Sequence, residues 1–326
     1  MQKIVCIGGG TGTSVVLSGL KKFPIDLTAI VSMADDGGSN KVIRDEFGLL
    51  PTSDIRQCFV ALAENTGDSE QSLRKLFNYR FHKGEGLKGM TFGNLFMVAL
   101  TDIFGSQTEA IKKTSEILKI KGKILPITIT DSRLVAVYRN GRKVVGEHLI
   151  DEPEKNEDLN IDKVYLEPES QAYPQAIQAI LDADLVVIGP GDLYTSIISG
   201  LVVAGIKEAL NKTKAKVAYV LNLMTKYGQT SGFTALDHIK TLEKYIGSNC
   251  LDLVLVNSNP IPDEALKKYE SAKEFSVVDN LKDSYFKVVR SDILSEKEIK
   301  KIPGDLLKRS LIRHDSDKLA EVLVKI

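Results

Sequence analysis

Two strand ends constrain this chain more than anything else in it. The apolar run Ile4-Val5-Cys6-Ile7 leads into Gly8-Gly9-Gly10-Thr11-Gly12-Thr13, and the run Leu27 to Met33 ends at Asp35-Asp36-Gly37-Gly38-Ser39. Short unbroken apolar runs of this kind read as parallel strands buried on both faces. The glycines strip side chains from the first turn, so backbone N–H groups can approach an anion closely. A helix starting near Thr13 and continuing through Val15, Val16, Leu17 and Leu20 aims its N-terminal dipole at that turn. The second strand delivers two carboxylates to the same carboxyl edge, where doubly wound sheets hold their ligands. The fold class is α/β, a Rossmann-like, doubly wound and mainly parallel sheet.

The rest of the chain fits that frame. Its 326 residues exceed a usual domain, but α/β folds reach this length as one unit. Asp54 to Leu62, Ser69 to Phe81, Asn94 to Phe104 and Glu109 to Leu118 read as helices. Lys123 to Thr130, Leu134 to Arg139 and Lys143 to Glu147 read as short strands, with Asn140-Gly141 as a two-residue hairpin turn. Asp151 to Asp158 holds five acids (Asp151, Glu152, Glu154, Glu157, Asp158) and reads as a solvated loop. Strand and helix then alternate: Ala172 to Leu181, Leu185 to Ile188, a helical stretch from Leu193 to Leu210, Val217 to Leu223, Thr234 to Tyr245, Leu251 to Val256 and Pro262 to Tyr269. Phe286 to Val289 reads as an edge strand and Asp315 to Val324 as a closing helix. The expectation is one domain over 1–326 with a small antiparallel insertion at 123–166.

Composition excludes several classes. Lys plus Arg and Asp plus Glu are 43 each, and a general nucleic-acid binder carries a basic excess. No apolar run is long enough to span a membrane, and the N-terminus enters a strand without a signal-peptide layout. Cys6, Cys58 and Cys250 are scattered and read as reduced thiols, which predicts a cytoplasmic protein. His82, His148, His238 and His314 share no metal spacing and read as surface or structural.

Several motifs carry chemistry. From Gly8 the dinucleotide fingerprint fails at Thr13, and no Gly-Lys-Ser/Thr follows, so neither a standard NAD site nor a P-loop is present. The turn contacts phosphate or ribose, or serves packing alone. Asp35 and Asp36 can hold a hard cation such as Mg2+, with waters and phosphate oxygens completing its shell. Adjacent strand residues point to opposite faces, so a turn at Gly37-Gly38 is needed for them to converge. The bland alternatives are a solvated acidic turn or one aspartate on a ribose. Asp54 suits a helix cap and is also a candidate nucleotide contact. Arg56 opposes the dipole of that helix, which an anion bound beside it would explain. Asn94 caps the next helix or hydrogen-bonds a base or sugar. Gly189-Pro190-Gly191-Asp192-Leu193-Tyr194-Thr195-Ser196 is a second strand–glycine–helix junction, although Asp192 repels phosphate unless a cation lies between. Asn222 closes the next strand at the same edge.

Together GGGTG at 8–12, ADDGGS at 34–39, SDIRQC at 53–58, FGNLF at 92–96, IGPGDLYTSI at 188–197 and NLMT at 222–225 resemble the CofD-like family. That family holds 2-phospho-L-lactate transferase and the YvcK-like gluconeogenesis factors, and the match is nearer the latter. The resemblance implies a Rossmann-like fold, a homodimer, and binding of a nucleotide or nucleotide-sugar, a UDP-sugar in this branch. It also implies a part in carbon partition and cell shape. The transferase branch instead moves a phospholactyl group from a nucleoside diphosphate carrier with magnesium. In that case Asp35 and Asp36 would be catalytic. The chain departs from the family pattern at Asn40-Lys41, Thr52-Ser53, Met90, Asp192 and Lys226-Tyr227-Gly228-Gln229, all in loops expected at the ligand. Met90 stands where the family carries His, which leaves no general base in the motifs.

Overall fold

The computed structural model describes residues 1–64, 68–153, 160–296 and 311–326. Glu154, Glu157 and Asp158 of the acidic run lie outside these residues. The chain opens with β1 (Lys3–Gly8), α1 (Gly10–Leu20), β2 (Asp26–Val31), α2 (Gly38–Phe47) and α3 (Ser53–Leu62). Then come α4 (Asp68–Asn78), α5 (Phe92–Phe104), α6 (Gln107–Ile117), β3 (Lys123–Pro126), β4 (Arg133–Tyr138), β5 (Lys143–Val145), α7 (Glu147–Asp151) and β6 (Ile161–Glu167). The second half runs α8 (Pro174–Leu181), β7 (Leu185–Ile188), a wide turn (Leu193–Ile198), α9 (Ser199–Leu201), α10 (Ile206–Lys212), β8 (Lys216–Val220) and α11 (Ala235–Ile246). It closes with β9 (Leu253–Asn257), α12 (Asp263–Glu270), β10 (Lys287–Ser291) and α13 (Ser316–Leu323).

Seven strands form one parallel sheet in the order β10-β9-β8-β7-β1-β2-β3. Helices cover both faces, so each strand buries alternate residues in two separate cores. Ile4, Cys6, Leu185 and Val187 point into one; Val5, Ile7, Val186 and Ile188 point into the other. The chain winds from β1 to β2 and β3 on one side, then restarts at β7 on the other. The strand order therefore reverses between β1 and β7, which places a crevice outside their carboxyl ends.

Three boundaries differ from the sequence reading. Lys123–Pro126 pairs in parallel with β2 and belongs to the main sheet; the antiparallel sheet is β5-β4-β6 alone. Both strands are short and apolar, and only their partners distinguish them. The β4–β5 connection is longer than two residues, with Tyr138 N–H bonded to Arg142 O and Gly141 at φ 84°. The helical stretch from Leu193 breaks in two. Ile197 N–H reaches back five residues to Asp192 O at 3.1 Å, and Gly205, at φ 98°, stops one segment before α10 begins. The tail helix α13 docks on α1, where a side chain at Gly19 would strike the Ser316 carbonyl oxygen at 1.8 Å.

Candidate functional site

The glycine turns after β1 and β7 meet at the crevice. A Cβ on Gly12 would lie 2.1 Å from the Pro190 carbonyl oxygen, so only glycine lets the two turns touch. Asn222, just past β8, holds the second turn: its Nδ2 donates to Gly191 O at 2.6 Å while its Oδ1 accepts from Tyr219 Oη at 3.1 Å. A cleft of about 480 Å³ opens there, a volume that suits a small-molecule ligand. Gly9, Gly10, Thr11, Gly12, Gly191 and Asp192 line it. Gly8, Thr13 and Gly189 do not. Gly8 packs against the Thr13 hydroxyl, which donates to Gly9 O at 3.2 Å, so these two shape the turn. The helix begins at Gly10, three residues earlier than expected, because the glycines themselves supply its first turn.

Asp54 is not a cap. It sits in the first turn of α3 and accepts the Gly10 N–H, with its carboxylate directly over Gly9. A carboxylate thus occupies the N-terminus of α1, where the sequence predicts phosphate. Burial and the neighbouring Asp35 push its pKa up to about 7. Asp35 lines the cleft and accepts from Gly37 N–H at 2.9 Å; burial, offset by that bond and reinforced by Asp36, raises it to about 6.

Asp36 points elsewhere. Its Oδ1 accepts from His148 N–H at 2.9 Å, and Arg44 Nη1 stands 4.0 Å from Oδ2. The structure therefore does not bring Asp35 and Asp36 to one point of the cleft; it brings Asp35 and Asp54 together. Among the described residues no group of three or more His, Cys, Asp or Glu could hold a metal alone.

Asp36 anchors one end of α7 and Asp151 the other. Asp151 accepts from Gln229 Nε2 at 3.0 Å, Thr195 Oγ1 at 3.3 Å and Lys226 Nζ at 3.4 Å. It is part of the site and not of a solvated loop. The insertion thereby lays Glu147, His148 and Asp151 across the cleft. Burial, then Asp35, raises Glu147 well above the carboxylate range. Lys226 stands 3.7 Å from Asp192. Burial opposes its charge, but Asp192, Asp151 and Glu274 outweigh burial and hold its pKa above the ordinary lysine value. Asp192 is raised to about 6 by burial, against the pull of Lys226. Two departures noted in the sequence, Asp192 and Lys226, thus neutralise each other in space.

On the opposite wall, Asn94 lies inside the first turn of α5, past Thr91 at the N-cap position. Its side chain bonds Arg56 Nε (3.1 Å), Ser39 Oγ (2.9 Å) and Ser53 Oγ (3.1 Å). Arg56 also reaches Asn78 Oδ1 at 2.8 Å, and Gly37, Gly38 and Ser39 complete that wall. His148 and His314 line the cleft; His148 is exposed and His314 is buried. Burial lowers His314 to about 4. Glu147, His148, Asp151, Lys226 and His314 carry no local motif; only the insertion's placement and the long return of the chain bring them in.

These features define a switch-point ligand cleft in a CofD-type α/β fold. The family model described as 2-phospho-L-lactate transferase CofD matches residues 4–294, and the chain belongs to that family. It is 41% identical to the gluconeogenesis factor of Bacillus subtilis, covering 99% of this chain and 98% of that one. Identity to the gluconeogenesis factor of Listeria innocua is 38%, over 99% and 94%. The crystal structure of protein BH3568 from Bacillus halodurans superposes with a TM-score of 0.89 at 34% identity, covering 99% of each chain.

Proposed function

We propose that the chain binds a nucleotide-sugar, a UDP-sugar, in the switch-point cleft and acts in carbon partition and cell shape as a cytoplasmic homodimer. The carrying observation is the contact of two glycine turns, after β1 and β7, at the point where strand order reverses. Relatives named gluconeogenesis factor support the reading. Asp35 and Asp54 fit a Mg2+ ion, because Asp35 raises the pKa of the Asp54 carboxylate and a cation between them would relieve that repulsion. When bound, the ion would supply positive charge for phosphate oxygens, which complete its shell in the absence of a third protein ligand. Asp36, committed to α7, is not part of this set. Gly9 to Gly12 and Gly191 let the ligand approach backbone, and Asn222 fixes the second turn.

A thermal-shift panel of UDP-sugars, GDP, ADP and NAD, each with and without magnesium, tests this. A UDP-sugar at about a hundred times its dissociation constant should add roughly 2.7 kcal/mol. A shift with NAD or ADP and none with UDP-sugars would refute the assignment.

One observation favours a transferase as the second reading. Asp54, raised to about 7 beside Asp35, is matched to proton abstraction near neutral pH. Magnesium-dependent label transfer from a nucleoside diphosphate carrier to an acceptor in cell extract, lost in Asp54→Asn, would promote it. Binding without transfer supports the first reading.

A further inference from the structure

The wall opposite the glycine turns holds a second concentration of donors. Helix α2 begins there behind Gly37 with no side-chain cap, whereas the start of α3 is already capped, its Thr52 and Ser53 N–H groups taken by Asn40. The Gly38 and Ser39 N–H groups open α2 and have no partner within it. The Ser39 hydroxyl accepts from Asn94 and, among the described residues, donates to no acceptor. Ser39 is 7% exposed and lines the cleft. Two further polar groups at the same helix starts are unpartnered although fully buried: Asn40 Nδ2 (0% exposed) and Thr52 Oγ1 (1%). Asn40 Oδ1 takes the Thr52 and Ser53 N–H groups, which fixes the two helix starts against each other.

Positive charge converges on the same wall. Arg56 is locked by Asn94 and Asn78 with its side chain facing the cleft. Arg80 is tethered through Nη1 to Gly89 O at 2.6 Å and also lines the cleft. Asp35 and Glu147 are carboxylates lining the same cleft, and Asp54 stands in the first turn of α3. The α1 start differs, since Asp54 already occupies it.

We propose that the N-terminus of α2, with Ser39, Arg56 and Arg80, forms a second anion subsite that takes a phosphoryl group beside the nucleotide's diphosphate. Donors arrive from one helix end, a hydroxyl and two guanidinium groups, a spread that suits a tetrahedral oxyanion better than a planar carboxylate. The inference deepens the nucleotide reading, and inorganic phosphate tests it separately.

The experiment is a titration of the full chain with inorganic phosphate, followed by calorimetry and 31P line width, with acetate as the comparison anion. It is run with and without UDP-glucose. The expected result is phosphate binding that persists with UDP-glucose present and is at least tenfold stronger than acetate binding. It should weaken at least tenfold in Arg80→Gln and in Ser39→Ala. Arg56 is too buried to serve as the test. Lys282→Gln, exposed and outside the cleft lining, should leave phosphate affinity within twofold of the parent. Displacement of phosphate by UDP-glucose one for one would overturn the second subsite. So would unchanged phosphate affinity in both variants. If UDP-glucose does not bind, the nucleotide reading fails while the phosphate titration and its variants still decide the subsite.

Discussion

Replacing Asp54 by Asn should stabilise the ligand-free protein at high pH and weaken it as a binder. Asp54 has an ordinary pKa of 3.8 and is raised to about 7 in the fold, by burial and by Asp35. A carboxyl group whose folded pKa is raised binds its proton more tightly when folded. It therefore costs nothing below pH 3.8, costs progressively more up to pH 7, and carries its full cost above that. At about 1.4 kcal/mol per pKa unit, the ceiling is about 4 kcal/mol at pH 8. Asp54 is only half-buried and shares its repulsion with Asp35, so we expect about 2 kcal/mol. Asn keeps an oxygen for the Gly10 N–H, so the turn itself is preserved. Urea unfolding in EDTA at pH 4.5 and pH 8 reads the effect. Asp54→Asn should match the parent within about 1 kcal/mol at the lower pH and exceed it by about 2 at the higher. Equal destabilisation at both values would show that Asp54 is a structural hydrogen-bond partner and that the repulsion is not real.

Two glycines of the first turn should separate packing from binding. Gly10→Ala meets only atoms 3.9 Å away but must hold φ 64°, so it should cost about 1 kcal/mol and still lower nucleotide affinity. Gly12→Ala drives a methyl into Pro190 O at 2.1 Å and should cost about 2 kcal/mol or more, a reversal of this order in thermal melts being the contrary result. Lys226→Met leaves Asp151 and Asp192 without their cation and should destabilise by about 2 kcal/mol at pH 8. The loss should shrink at pH 5, where Asp192, at about 6, takes up a proton. An unfolding free-energy difference independent of pH would contradict that ion pair.

The sheet and the first glycine turn were legible because each rests on contiguous residues. Ile4 to Ile7 and Leu185 to Ile188 are short unbroken apolar runs, mostly β-branched and each followed by glycine, the pattern of a strand buried on both faces. Local pattern could not say that Lys123–Pro126 belongs to the large sheet, because partner choice depends on residues nearly a hundred positions away. The Asp35-Asp36 doublet was misleading for a related reason. Strand alternation sends neighbours to opposite sides, and Asp36 finds the start of α7 more than a hundred residues downstream. Local sequence places Asp54 only at the start of its own helix, whereas its carboxylate serves the start of α1. Asp151 looked like part of a solvated acidic run, yet Gln229, Thr195 and Lys226 draw it inward. The charge pair of Lys226 and Asp192 was visible only as two separate departures from a family pattern.

Isothermal calorimetry of UDP-glucose, in magnesium and in EDTA, on the parent and on Asp35→Asn, tests the central claim most directly. The parent should bind one ligand per chain and lose about tenfold in affinity, about 1.4 kcal/mol, when magnesium is removed. Asp35→Asn should bind weakly and with the same affinity in either buffer. Absence of binding to the parent in magnesium, or a magnesium dependence that survives in Asp35→Asn, would contradict the account.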